Sequence, residues 1–178
     1  MSRRPAVFFD RDGTLMEEVK YCGDPAKVKA YPGVSAALHS LKRAGYLNVI
    51  VSNQSGIGRG LFTEEQYYAV QQELLRQAGA DLIDASYFCA DAPGVPSTRR
   101  KPAPGMLLVA SAQFGIDLAA SYMFGDKASD IECGRRAGAG AILVLTGYGR
   151  LQACVPDFTA ADVSEAAGWI LQRRHLLT

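Results

Sequence analysis

Short apolar runs that stop abruptly at polar residues recur along the chain, with helical stripes between them. Ala6, Val7, Phe8 and Phe9 form the first run and end at Asp10, which predicts a buried strand opening into a polar loop. Val49, Ile50 and Val51 form the second, closing on Ser52, Asn53, Gln54 and Ser55. Residues 86–89, 122–124 and 141–145 read as three further strands, and the fourth strand runs into Gly125 and Asp126. Between them, Val34, Ala37, Leu38 and Leu41 recur at helical spacing after Pro32 and before Gly45. Thr63 followed by Gln66 forms a capping box ahead of Tyr67, Val70, Leu74 and Leu75, and Gly79 ends that helix. Residues 106–114 and 131–137, and a last stripe of Val163, Ala166, Ala167 and Ile170, complete the helices. Residues 92–100 hold Pro93, Gly94, Pro96, Ser97 and Thr98 and read as a loop.

Strand and helix alternate, and the strands are apolar on both faces, so the expected fold is α/β, a doubly wound parallel sheet covered by helices. Such sheets bind ligands beyond the carboxyl ends of their strands. The polar residues at those ends are therefore the candidates for chemistry.

Composition narrows the class. With 178 residues, 48% of them apolar, the chain suits one domain, residues 1–178, with no length for a large cap domain. The net charge is only +1, which argues against a nucleic-acid partner. No apolar run approaches the roughly 18 residues of a membrane span, and Ser2-Arg3-Arg4-Pro5 leaves no room for a secretory leader. A cytoplasmic monomer without membrane contact is expected. Cys22, Cys89, Cys133 and Cys154 are scattered, and the histidines are His39 and His175, so neither a zinc cluster nor a disulfide framework is indicated.

The strand ends and adjoining loops carry Asp10 and Asp12, Ser52 and Asn53, Lys101, then Asp126 and Asp130. Carboxylates converging on one rim repel unless cations offset them, and Lys101 plus a divalent metal would do so. Oxygen donors without histidine or cysteine favour Mg²⁺. Metal, lysine and hydroxyl together suit a phosphoryl group, whose charge spreads over three oxygens.

These residues, as Asp10-Arg11-Asp12-Gly13-Thr14, Val51-Ser52-Asn53-Gln54-Ser55-Gly56, Arg100-Lys101-Pro102 and Gly125-Asp126-Lys127 with Asp130, resemble the four ordered motifs of the haloacid dehalogenase phosphatases. Longer stretches around Ser52–Gln66, Lys101 and Asp126 resemble the heptose bisphosphate branch of that superfamily over nearly the whole chain. The resemblance implies removal of the 7-phosphate of a heptose 1,7-bisphosphate, on the route to nucleotide-activated heptose. Asp10 would attack phosphorus and form an aspartyl-phosphate. Asp12 would protonate the leaving oxygen and then take a proton from the attacking water. Ser52 would donate to a phosphoryl oxygen, helped by the Asn53 backbone, and Lys101 would neutralise the same group. The family's Mg²⁺ sites imply the Asp10 carboxylate, the Asp12 carbonyl and the Asp126 carboxylate as ligands. Asp130 either orients metal-bound water or caps the following helix.

By the same resemblance, Arg100 and Lys127 recognise the bisphosphate, with Gln54 and Ser55 beside it, and Glu18, Val19, Lys20 and Tyr21 line the pocket. Arg59 either joins them or is a solvated surface charge. Many relatives carry a zinc-binding insert before the motif lysine, of which only Cys89 remains here, so a zinc-free loop is expected. Two alternatives stand beside this reading. Histidinol phosphate carries a positive imidazole and amine, which Arg100 and Lys127 would repel. A non-catalytic phospho-receiver carries its acceptor on a later strand than Asp10.

Overall fold

The structure, a computed structural model, describes residues 3–175. The ends of the expected 1–178 domain, and the reading of Met1 and Ser2 as leaderless, lie outside those residues. Six strands form one sheet: β1 (Ala6–Phe9), β2 (Leu47–Asn53), β3 (Ala85–Cys89), β4 (Tyr122–Gly125), β5 (Gly140–Val144) and β6 (Phe158–Ala160). Every pair is parallel and the spatial order is β3-β2-β1-β4-β5-β6. Six helices accompany them: α1 (Val34–Arg43), α2 (Ser55–Gly58), α3 (Glu64–Ala78), α4 (Gly105–Phe114), α5 (Ala128–Ala137) and α6 (Val163–His175).

Side chains alternate across a strand, and here both sets are apolar. Val7 and Phe9 turn to the face covered by α1, α3 and α6, where they meet Leu38, Leu41, Leu74 and Ile170. Ala6 and Phe8 turn to the other face, against Met106, Leu107 and Ala110 of α4 and Cys133 of α5. The sheet is thus a doubly wound sandwich, as the alternation of elements predicts.

From β1 the chain first moves outward through β2 and β3, then returns to place β4 on the opposite side of β1. The direction of winding reverses there, so the helices on either side leave a crevice at the carboxyl ends of β1 and β4. Asp10 and Asp126 follow those two ends directly.

The structure departs from the sequence pattern in three places. β6 is an additional strand of three residues at the sheet edge. The helix expected at 131–137 begins at Ala128, because its first turn is polar and the apolar stripe starts only at Ile131. The segment after β2 forms the short α2. No helix among the described residues is long and apolar enough to cross a membrane.

Candidate active site

The floor of the crevice is built around Lys101, which the loop between β3 and α4 delivers under the end of β1. Its Nζ lies 2.8 Å from Asp10 Oδ1 and 2.7 Å from Asp130 Oδ1, and it donates to the Val51 carbonyl at 2.9 Å. The Asn53 carboxamide grips the Lys101 backbone from both sides, donating to its carbonyl and accepting from its N–H, each at 3.0 Å. Asp10 is held in turn by its own N–H, which donates to the Phe124 carbonyl across the β1–β4 junction at 2.9 Å. Asp130 sits in the first turn of α5, and its Oδ2 accepts the Lys127 N–H at 3.0 Å. It therefore caps the helix and holds Lys101 with one carboxylate.

Asp10, Asp126 and Asp130 present oxygens all within 4.8 Å of one another, and all three residues are buried. Asp126 Oδ2 accepts the Tyr148 N–H at 2.8 Å. Its Oδ1 is buried without a hydrogen-bond donor, the Lys127 Nζ standing off at 3.9 Å. Burial, reinforced by the Asp10 charge, pushes Asp126 up to about 8. Burial also acts to raise Asp10, but Lys101 and Lys127 outweigh it and hold that carboxyl below its ordinary range. Asp130 is raised by burial against the opposing pull of Lys101. Lys101 itself is raised, because Asp10 and Asp130 overcome the burial that works against its charge. The two lysines do not suffice to keep all three carboxylates ionised together, and the unpartnered Asp126 Oδ1 belongs to an oxygen-only donor set that faces inward. A hard divalent cation fits this arrangement. Two glycines keep it open: at Gly13 (φ 84°) and Gly147 (φ 52°) a Cβ would overlap Asp126 Oδ2.

Asp12 turns its carboxylate away from this cluster. Oδ2 accepts from Arg11 Nε at 3.0 Å and Oδ1 from Arg11 Nη2 at 3.1 Å. Gln54 Nε2 donates to the same Oδ2 and to Ser52 Oγ, both at 2.7 Å. Ser52 is buried at the end of β2, and accepting from Gln54 leaves its own hydrogen to give.

Above the floor opens a cleft of about 370 Å³. Asp12, Asn53, Gln54, Ser55 and Lys101 line its base, while Glu18, Val19, Lys20 and Tyr21 form one wall and Arg100 and Lys127 stand at its edge. A smaller recess beneath it is lined by Asp10, Asp12, Lys101 and Asp130. Lys127 Nζ pairs with Glu18 Oε2 at 3.2 Å, joining the loop after β1 to the end of β4. Arg100 is half-buried, and its Nη1 donates to the Asp91 carbonyl at 2.8 Å.

Arg59 is not brought into the cleft. It is exposed, and its guanidinium lies 5.8 Å from the Tyr21 ring, so it backs a wall residue from outside. Ser129 and Tyr148 line the cleft without having been singled out in the sequence. Both follow strand ends, Ser129 after β4 and Tyr148 after β5, so the rule about carboxyl ends points to them. Lys127 Nζ lies 5.1 Å from the Tyr148 ring. Arg11 was also missed as more than a motif member, since an arginine ordinarily reads as surface.

A HAD-hydrolase-like family model matches residues 98–166, which include Lys101, Asp126 and Asp130. A D-glycero-D-manno-heptose-1,7-bisphosphate 7-phosphatase of Thermosynechococcus vestitus is 40% identical over 94% of this chain and 95% of its own length. The chain belongs to that phosphatase family. A D-glycero-beta-D-manno-heptose-1,7-bisphosphate 7-phosphatase of Yersinia pestis is 39% identical over 94% of this chain and 89% of its own. In three dimensions the chain is similar to the D,D-heptose 1,7-bisphosphate phosphatase of B. bronchiseptica, crystallised with magnesium and phosphate. That match has a TM-score of 0.87 and 29% identity, covering 95% of this chain and 99% of the other. The protein is accordingly a phosphoric monoester hydrolase, of a superfamily that uses Mg²⁺, and the receiver alternative falls.

Proposed function

We propose that the protein hydrolyses the 7-phosphate of D-glycero-D-manno-heptose 1,7-bisphosphate through an aspartyl-phosphate on Asp10. The observation that carries this reading is the placing of cations at two depths. Lys101 is buried at the floor, Arg100 stands half-buried at the edge of a cleft of about 370 Å³, and Lys127 spans the two, lining both that cleft and the recess beneath it. A sugar with phosphate at both ends suits that spacing: the reacting group descends to Lys101, and the second meets an arginine that can bind it with two parallel bonds. The same edge cations disfavour histidinol phosphate.

In the first half-reaction Asp10 attacks phosphorus, the bond from phosphorus to the sugar oxygen breaks, and Asp12 gives that oxygen its proton. In the second, water attacks phosphorus, passes a proton to Asp12, and Asp10 leaves as free carboxylate. Ser52 and Lys101 hold the phosphoryl oxygens throughout. Mg²⁺ would be held by the Asp10 and Asp126 carboxylates and the Asp12 carbonyl, and when bound it would supply positive charge to the phosphoryl oxygens. Zinc has no part in this reading, because Cys89 is the sole cysteine or histidine in the sequence from Cys89 to Lys101. A monomer is part of the same proposal. A cytoplasmic enzyme independent of nucleic acid and membrane completes the proposal.

The test is phosphate release from both heptose bisphosphate anomers and from histidinol phosphate, with and without Mg²⁺, for the native chain and Asp10→Asn. The bisphosphate should be preferred in kcat/KM by about 100-fold or more, as one well-paired phosphate contact allows. Asp10→Asn should lose about 10⁴-fold or more in kcat with its circular dichroism unchanged. A preference for histidinol phosphate would reverse the substrate assignment.

A further inference from the structure

Among the described residues, Arg11 is the largest fully buried side chain. A guanidinium removed from water is costly unless its donors are matched, and here the matching is concentrated on one partner. Nε and Nη2 both go to Asp12, at 3.0 and 3.1 Å, in a parallel fork. Nη1 has no hydrogen-bond partner, and neither has the buried Tyr67 hydroxyl near it. The guanidinium instead lies 5.0 Å from the centre of the Tyr67 ring. That ring is anchored on α3, whose start is fixed by the Thr63–Gln66 capping box, and it packs at 4.3 Å on Phe88 of β3. Burial of a charge whose donors are incompletely matched does little for stability that an apolar side chain would not do better.

The beneficiary is Asp12. Its side chain keeps 14% of its surface exposed. Its two oxygens receive three bonds, two from Arg11 and one from Gln54. Lys101 and Lys127 border the same recess and would otherwise draw a mobile carboxylate towards the floor. We propose that Arg11 is a positioning residue: braced by Tyr67, it holds the Asp12 carboxyl group on the leaving-group side of the recess. This rests on the reading of Asp12 as acid and base. The step served is the first half-reaction, in which the bond from phosphorus to the sugar oxygen breaks and Asp12 transfers its proton to that oxygen.

Leaving groups separate positioning from general structural support. An alkyl phosphate needs the proton, whereas p-nitrophenyl phosphate releases p-nitrophenolate, a stable anion, without it. kcat/KM reports only the steps through phosphoryl transfer to Asp10, so it isolates this half-reaction. Asp12→Asn sets the reference and should lose about 100-fold more on an alkyl sugar phosphate than on p-nitrophenyl phosphate. Arg11→Met should show the same selectivity at about 10-fold, with Arg11→Lys intermediate. If Arg11→Met does not fold, Tyr67→Leu carries the test, since it removes the ring that braces the Arg11 guanidinium without touching a residue of the cleft, and should be selective in the same direction. Equal losses on both substrates, or faster reaction of the alkyl phosphate, would overturn the inference while leaving Asp12 as the acid. Asp12→Asn without leaving-group selectivity would instead overturn the acid reading, and this inference with it.

Discussion

Lys101 and Arg100 are neighbours in sequence and differ in almost everything else. Lys101 is 3% exposed and is fixed at both ends, its Nζ by Asp10, Asp130 and the Val51 carbonyl, its backbone by Asn53. Arg100 is half-buried, with one guanidinium nitrogen on the Asp91 carbonyl and its N–H on Ser97 Oγ. The first belongs to the floor, where the ends of β1 and β2 and the first turn of α5 close around a lysine that a loop supplies. The second belongs to the rim, which is assembled from loops. A charged group that must meet the transition state within tenths of an ångström is locked by several elements, while one that must admit and release a substrate is tethered by few.

The sharpest way to break this contrast is to remove the floor cation. Lys101→Met leaves Asp10 and Asp130 buried without their partner, and breaking a buried pair in this way costs about 3–5 kcal/mol. Chemical denaturation should show a loss of that size, and activity on any phosphate ester should fall about 10³-fold or more, as for loss of a preorganised charge at the reacting group. Unchanged stability would mean that the Asp10–Lys101–Asp130 array is not the structural unit its distances indicate.

At the rim the effect should be smaller and of another kind. Arg100→Ala should leave folding stability within about 0.5 kcal/mol, as for an ordinary surface change. It should raise KM for the heptose bisphosphate by about 10–100-fold, the loss of a charge-assisted phosphate contact. Simple aryl phosphates, which have no second anion, should change by less than about 3-fold. Steady-state kinetics on the two substrates decides: equal losses would place Arg100 with the floor.

The two regions also differ in how readily they could be read from the chain. Asp10, Ser52 and Asp126 follow from pattern, because runs such as 6–9 stop at polar residues and the alternation of elements points to the carboxyl ends of parallel strands, whereas Lys101, on a loop well beyond β3, is read from its motif. Asp130 illustrates a limit of such reading: helix cap and service to the site were opposed possibilities, and one carboxylate does the first while holding Lys101. β6 escaped because three residues after Pro156 and Asp157 carry no period, and only pairing with β5 makes them a strand. Arg11 escaped for a different reason. A charge between two motif aspartates gives no sign that it turns inward, and its burial depends on Tyr67, which reaches it from α3, more than fifty residues further along the chain.

The smallest effect tests how the rim arginine is held. The loop before Arg100 folds around Ser97, whose Oγ accepts the N–H of Arg99 at 3.2 Å and of Arg100 at 3.0 Å, and lies 3.6 Å from Cys89 Sγ. Cys89 in turn donates to Asp91, the residue whose carbonyl carries Arg100 Nη1. One hydroxyl therefore ties the end of β3 to the backbone that aims the arginine. Ser97→Ala removes that acceptor but neither the arginine nor its bond to Asp91, so a loss of about 0.5–1 kcal/mol is expected. This corresponds to KM for the bisphosphate rising about 2–5-fold, with aryl phosphate kinetics unchanged and Ser97→Thr restoring the native value. If Ser97→Ala were as damaging as Arg100→Ala, the arginine would be useless without its loop bond, and the rim would be as tightly determined as the floor. If it changed nothing, Asp91 alone would suffice to aim Arg100, and the loop would serve only as its tether.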